Sequence, residues 1–156
     1  MSKAVSSKVF EPWLNRVFSY DFHQFLSLLS IGFIILHVGV LLADRYLPFS
    51  LTQILVPFID SYRPIWVGIG IIAFYLVLLV SVTFYVRGRI GHRAFKTIHY
   101  VSYLAYSSAV VHGLFAGTDS PLLATRSMYA VTALVVVFLT VYHILMKVFG
   151  SVKLAV

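Results

Sequence analysis

Apolar positions along this chain fall into four long runs rather than into the alternation of a strand or the single stripe of a surface helix. The runs cover about residues 22–43, 65–86, 97–117 and 126–149, each near the roughly 20 residues a helix needs to cross a bilayer. A helix that is hydrophobic all round predicts burial in lipid or in a large core. Between the first two runs, residues 44–64 hold Pro48, Pro57 and Pro64 around SLTQILVPF, where Ser50 is placed to cap a short surface helix that Pro57 ends. A basic connector, RGRIGHRAFK at 87–96, joins the second and third runs, and a short GTDSP turn joins the third and fourth. Residues 1–21 predict a surface segment with Trp13 at the membrane interface, and 150–156 a tail. The predicted fold is therefore an all-α integral membrane protein, a four-transmembrane-helix bundle over residues 22–149.

Composition agrees with that pattern. Of 156 residues, 60% are hydrophobic and 11% charged, less than half the charged share of an ordinary soluble domain, about 25%. Cysteine is absent, which excludes disulfides, thiolate metal sites and iron–sulfur clusters held by these residues. The formal net charge of +7 lies in short segments beside apolar runs, so it reads as membrane topology and not as a nucleic-acid footprint. Lys3, Lys8 and Arg16 precede the first run, Arg87, Arg89, Arg93 and Lys96 fill the connector, and Lys147 and Lys153 close the chain. By contrast, Asp44 and Asp60 balance Arg45 and Arg63, and Asp119 balances Arg126. The expected topology has both termini and the connector in the cytoplasm, with no cleavable leader in residues 1–21. No Asp, Glu, Lys or Arg lies deep in a run, which argues against a pump or ion channel.

Histidine is the chemistry that stands out. Imidazole is costly in hydrocarbon and normally faces a bundle interior with a task. The first run carries His23 and His37, 14 residues apart, and the third carries His99 and His112, 13 apart. Either separation is about 20 Å along a helix axis. The two helices run the same way, so His23 lies level with His99 near the cytoplasmic face, and His37 with His112 toward the outer face. Each pair can supply both axial imidazoles of one haem iron, which leaves no open position and suits electron transfer better than oxygen binding. Without Cys-x-x-Cys-His, two such haems would be non-covalent b haems. Ser27, Ser30, Gly39, Ser102, Ala105, Ser108 and Gly113 leave room for flat macrocycles or for helix packing; Tyr100, Tyr103 and Tyr106 line haems or pack. Thirteen residues on an ideal helix leave a rotation of roughly 140°, so His99 and His112 approach from different flanks or the helix is distorted. His143, in the fourth run, competes as a ligand, whereas His92 reads as a solvated loop residue. Gly68 and Gly70 allow close helix contact in the second run.

The third run with its flanks, RGRIGHRAFKTIHYVSYLAYSSAVVHGLFAGTDS, resembles the ferric reductase-like transmembrane domain, which also occurs in NADPH oxidases and in haem subunits of bacterial reductase systems. The likeness rests on the basic-Gly connector, the His-x12-His pair ending in His-Gly-Leu and the Gly-Thr-Asp turn. The His-x13-His spacing of the first run and PFIDSYRPIWVGIG add to it, over about residues 20–145. The resemblance implies two b haems between the first and third helices, with His23 and His99 on the inner iron and His37 and His112 on the outer. It implies transmembrane electron transfer by a haem-bearing subunit of a larger redox complex, in a bacterial cytoplasmic (inner) membrane. Family members commonly have six helices, and many have Trp where this chain has Phe95. No flavin or nicotinamide domain follows Val156, so a separate redox partner protein is expected beside membrane lipid. The alternatives are a quinol-linked cytochrome b membrane anchor with a bound quinone, and a structural or pigment-binding membrane subunit.

Overall fold

The computed structural model describes residues 16–150, all of whose regular structure is helical. The expectations for Trp13, Lys3, Lys8 and Lys153 lie outside these residues. Helix α1 runs Arg16–Ala43, α2 Leu51–Leu55, α3 Pro64–His99, α4 Val101–Ala116 and α5 Leu123–Gly150. Three stretches are long and apolar enough to cross a membrane: Tyr20–Ala43 in α1, Pro64–His99, and Leu123–Met146 in α5; α4 is apolar but shorter. The side chains face outward in a way only a lipid solvent tolerates. Ile35 is 65% exposed and Leu134 69%, and a soluble monomer does not carry apolar surface on that scale. The chain is a helical membrane protein.

Its described residues divide into two compact units, one central in sequence, residues 31–122, and an end unit of residues 16–30 and 123–150. In the end unit, serine and threonine hydroxyls fold back onto the carbonyl four residues earlier. Ser27 and Ser30 bond His23 and Leu26, and Thr140 bonds Val136. Hydroxyls thus stay satisfied without leaving the helix.

The central unit is a hairpin with a folded connection before it. Asp44 accepts the amide of Tyr46 and turns the chain out of α1. Ser50 caps α2 as its sequence predicts, in a reciprocal box with Gln53. Gln53 and the Tyr62 amide then donate to Asp60, a carboxyl that is 7% exposed. Pro64 opens α3 at the position where its missing amide hydrogen costs nothing.

Helix α3 holds a break. Gly91 has φ 79° and ψ 159°, far from helical values, so two helices meet there. Only glycine takes that conformation cheaply. The connector 87–96 is thus helical on both sides of one residue, and His92, expected in a loop, begins the second helical piece. It is helical because nothing but Gly91 interrupts the backbone bonds. The chain reverses there, and α4 packs back along the first part of α3. Small residues make that packing close: Ala73 and Thr83 of α3 and Ala105 and Ala116 of α4 are buried.

The third predicted helix is also divided, at Tyr100. Around it the bonds Tyr100 to Thr97 and Tyr103 to Tyr100 span three residues, both at 3.2 Å. Such turns are wound tighter than an α-helix, by about 20° per residue.

Candidate functional site

His37 of α1 and His112 of α4 come together in the central unit, with ring centroids 6.4 Å apart and planes at 76°. Imidazole nitrogens bind metals at about 2 Å, and a ring centre lies about 1 Å beyond its nitrogen. Two imidazoles on opposite sides of one metal therefore have centres about 6 Å apart, which this pair matches.

The surroundings of His112 are built in detail. Its Nδ1 lies 2.9 Å from the carbonyl oxygen of Trp66. A carbonyl can only accept, so Nδ1 carries the hydrogen and Nε2 keeps its lone pair for an acceptor or ligand role. Metal-bound histidines commonly have this second bond to a carbonyl, which fixes tautomer and ring orientation. The ring occupies a slot over the first turn of α3. A Cβ at Gly70 would overlap it, with Cγ at 2.6 Å and Cε1 at 2.7 Å. Gly70, one turn after Trp66, is what lets imidazole reach that carbonyl.

The end of α4 is tied to the same turn. Trp66 stacks on Phe115 at 4.3 Å, 19° from parallel. Tyr62 donates to the carbonyl of Ala116 at 3.2 Å, and the Arg63 guanidinium donates to that of Phe115. These carbonyls belong to the last turn, where a helix has no partners of its own for them. Arg63 adopts a left-handed backbone, φ 46°, in making the link. Beside it, the Phe58 ring fills the place of a side chain at Gly68.

The other sequence-predicted ligands are placed as follows. His23 is exposed on α1, in the end unit. His99, half-buried in the central unit, ends α3 with its ring 5.5 Å from that of Phe95. His143 is half-buried on α5. The described residues contain no group of three or more His, Cys, Asp or Glu that could hold a bare metal ion. Two imidazoles alone suit an iron whose other four ligands come from a macrocycle, and by spacing and tautomer His37 and His112 fit a haem. Trp66, Arg63 and Tyr62 escaped the reading of the sequence. Gly70 was read only as a close-contact residue, and its one-turn offset from Trp66 was the available clue.

A family model described as "Ferric reductase like transmembrane component" matches residues 5–110. The match takes in His23, His37 and His99 and ends two residues before His112. No curated protein and no solved structure matches the chain.

Proposed function

The chain belongs to the ferric reductase-like transmembrane family, and from that premise we propose that it carries electrons across a membrane through two bis-histidine b haems. The observation that carries the proposal is the His37–His112 pair, at metal-bridging distance with the His112 tautomer set by Trp66. His37 and His112 hold the outer haem. His23 and His99 hold the inner one. When bound, each haem supplies a one-electron couple with no open coordination position.

Four crossings complete the arrangement, the helical residues on either side of Tyr100 together making the third. Tight winding at Tyr100 supports the two-haem reading. Each overwound residue turns His112 by about 20° toward the face of His99, reducing the mismatch left by a spacing of 13. Positive charge on the Gly91 connector places it, with both termini, in the cytoplasm, and the setting is a bacterial inner membrane. The chain works as a subunit that receives electrons from a separate redox protein.

The test is a pyridine haemochrome assay with visible spectra on the purified chain. Two haems per polypeptide, with the sharp reduced bands of six-coordinate low-spin b haem, are expected. One haem or none sinks the two-haem proposal.

A further inference from the structure

Three of the cations around Gly91 are not used by the fold. Arg87 folds back on its own helix, donating to the Phe84 carbonyl at 2.9 Å with its guanidinium 3.9 Å from the Phe84 ring centre. Arg89, Arg93 and Lys96 make no side-chain hydrogen bond or ion pair with any described residue. Arg89 and Arg93 are exposed and Lys96 half-exposed. No acid interrupts residues 87–99. The Gly91 break sets Arg89 on one helical piece and Arg93 and Lys96 on the next. The same short piece carries Phe95 and His99, their rings 5.5 Å apart.

From this we infer that the Arg89–Lys96 surface is the docking site of an acidic electron-donor protein. The inference rests on the proposed role of His99 as a ligand of the inner haem. Positional topology needs positive charge on this side, but it does not need that charge on the segment bearing the electron-entry histidine. Complementary charge raises the rate of encounter and orients the partner, and its effect weakens with salt. A donor held here would present its redox centre beside Phe95 and His99, the shortest approach this segment offers. A donor bound here would supply one electron to a haem held by His99, with no proton or bond change required.

The experiment uses the full chain, loaded with haem, in nanodiscs of phosphatidylcholine only, which removes anionic lipid. Photoreduced flavodoxin, an acidic one-electron donor, serves as the probe, and haem reduction is followed by stopped flow. The wild-type rate should fall roughly tenfold between about 20 mM and about 500 mM salt. Arg89→Gln/Arg93→Gln should be several-fold slower at low salt, with a flattened salt dependence. Arg89→Lys/Arg93→Lys should restore most of the rate. Photoreduced free flavin, a small donor, should reduce all three equally, and unchanged haem spectra will show that each is folded. Equal rates and equal salt dependence in wild type and the Gln variant overturn the docking site. So does a charge effect seen only when phosphatidylglycerol is added, which would assign the patch to lipid. Absence of haem from the wild-type chain would sink the electron-transfer reading itself, a result distinct from either.

Discussion

The two histidine pairs differ in what the protein builds around them. At the His37–His112 end, a glycine slot and a backbone carbonyl hold the His112 imidazole, and an aromatic stack and two capping side chains tie down the helix end that follows it. At the other end, His99 lies beside a ring from its own helical turn, and His23 is exposed on α1. The His112 ring is held by partners distant in sequence, while His99 lies near Phe95 of its own helical turn. Preorganised ligands lose less freedom when they bind. The comparison therefore predicts that the proposed outer haem is sensitive to small changes in packing around His112.

The largest effect should come from the ligands themselves. Ala at His37 or His112 should lower the haem content from two to one and leave the inner component, whereas Ala at His23 or His99 should do the reverse. Redox titration of each variant checks this. Loss of the inner component in a His143 variant would reassign a ligand.

Next in size is Gly70→Ala. The added Cβ overlaps the His112 ring, so outer-haem occupancy should drop severalfold while the inner component persists. Gly88→Ala is the control, since nothing lies within 4 Å of a Cβ there. If Gly70→Ala left both haems intact, the slot would be incidental to binding and the contrast between the two ends would dissolve.

A smaller effect is expected from Arg63→Ala, which leaves the Phe115 carbonyl without its donor. A lost hydrogen bond of this kind costs about 1 kcal/mol, read as earlier thermal release of the outer haem alone.

The smallest concerns Tyr106, whose hydroxyl is buried with no hydrogen-bond partner among the described residues. Removing an unsatisfied buried polar atom costs nothing and can gain up to about 1 kcal/mol. Tyr106→Phe should match or slightly exceed the wild type in thermal unfolding, at unchanged haem content. A clear loss of either haem would show that this hydroxyl serves the cofactor.

Much of this architecture is legible in the sequence because membranes impose simple rules. Apolar runs near 20 residues announce helices, and Ser50 announced the cap of α2. Paired histidines on two of the runs directed attention to His37 and His112, which the fold does bring together. Other features depend on neighbours distant in sequence. That Gly70 makes space for His112 follows only once α4 lies against α3. The basic connector looked like a loop because charge and glycine suggest one, yet helical backbone bonds persist through Arg87–Ile90 and resume at His92. The division at Tyr100 has no proline or glycine to mark it. It is a local retightening that the 13-residue spacing hinted at and could not locate.

The shortness of α4 has a consequence for the lipid. Sixteen residues rise about 24 Å, several ångströms less than a hydrocarbon core of roughly 30 Å. In the proposed four-crossing arrangement the helical piece on the other side of Tyr100 supplies the remainder, and how far the two align decides how much. A thick bilayer favours the straighter joint, while a thin one relieves the hydrophobic mismatch and lets the joint bend. Because His99 sits immediately before that joint, acyl-chain length becomes a mechanical input to the geometry of the proposed inner ligand.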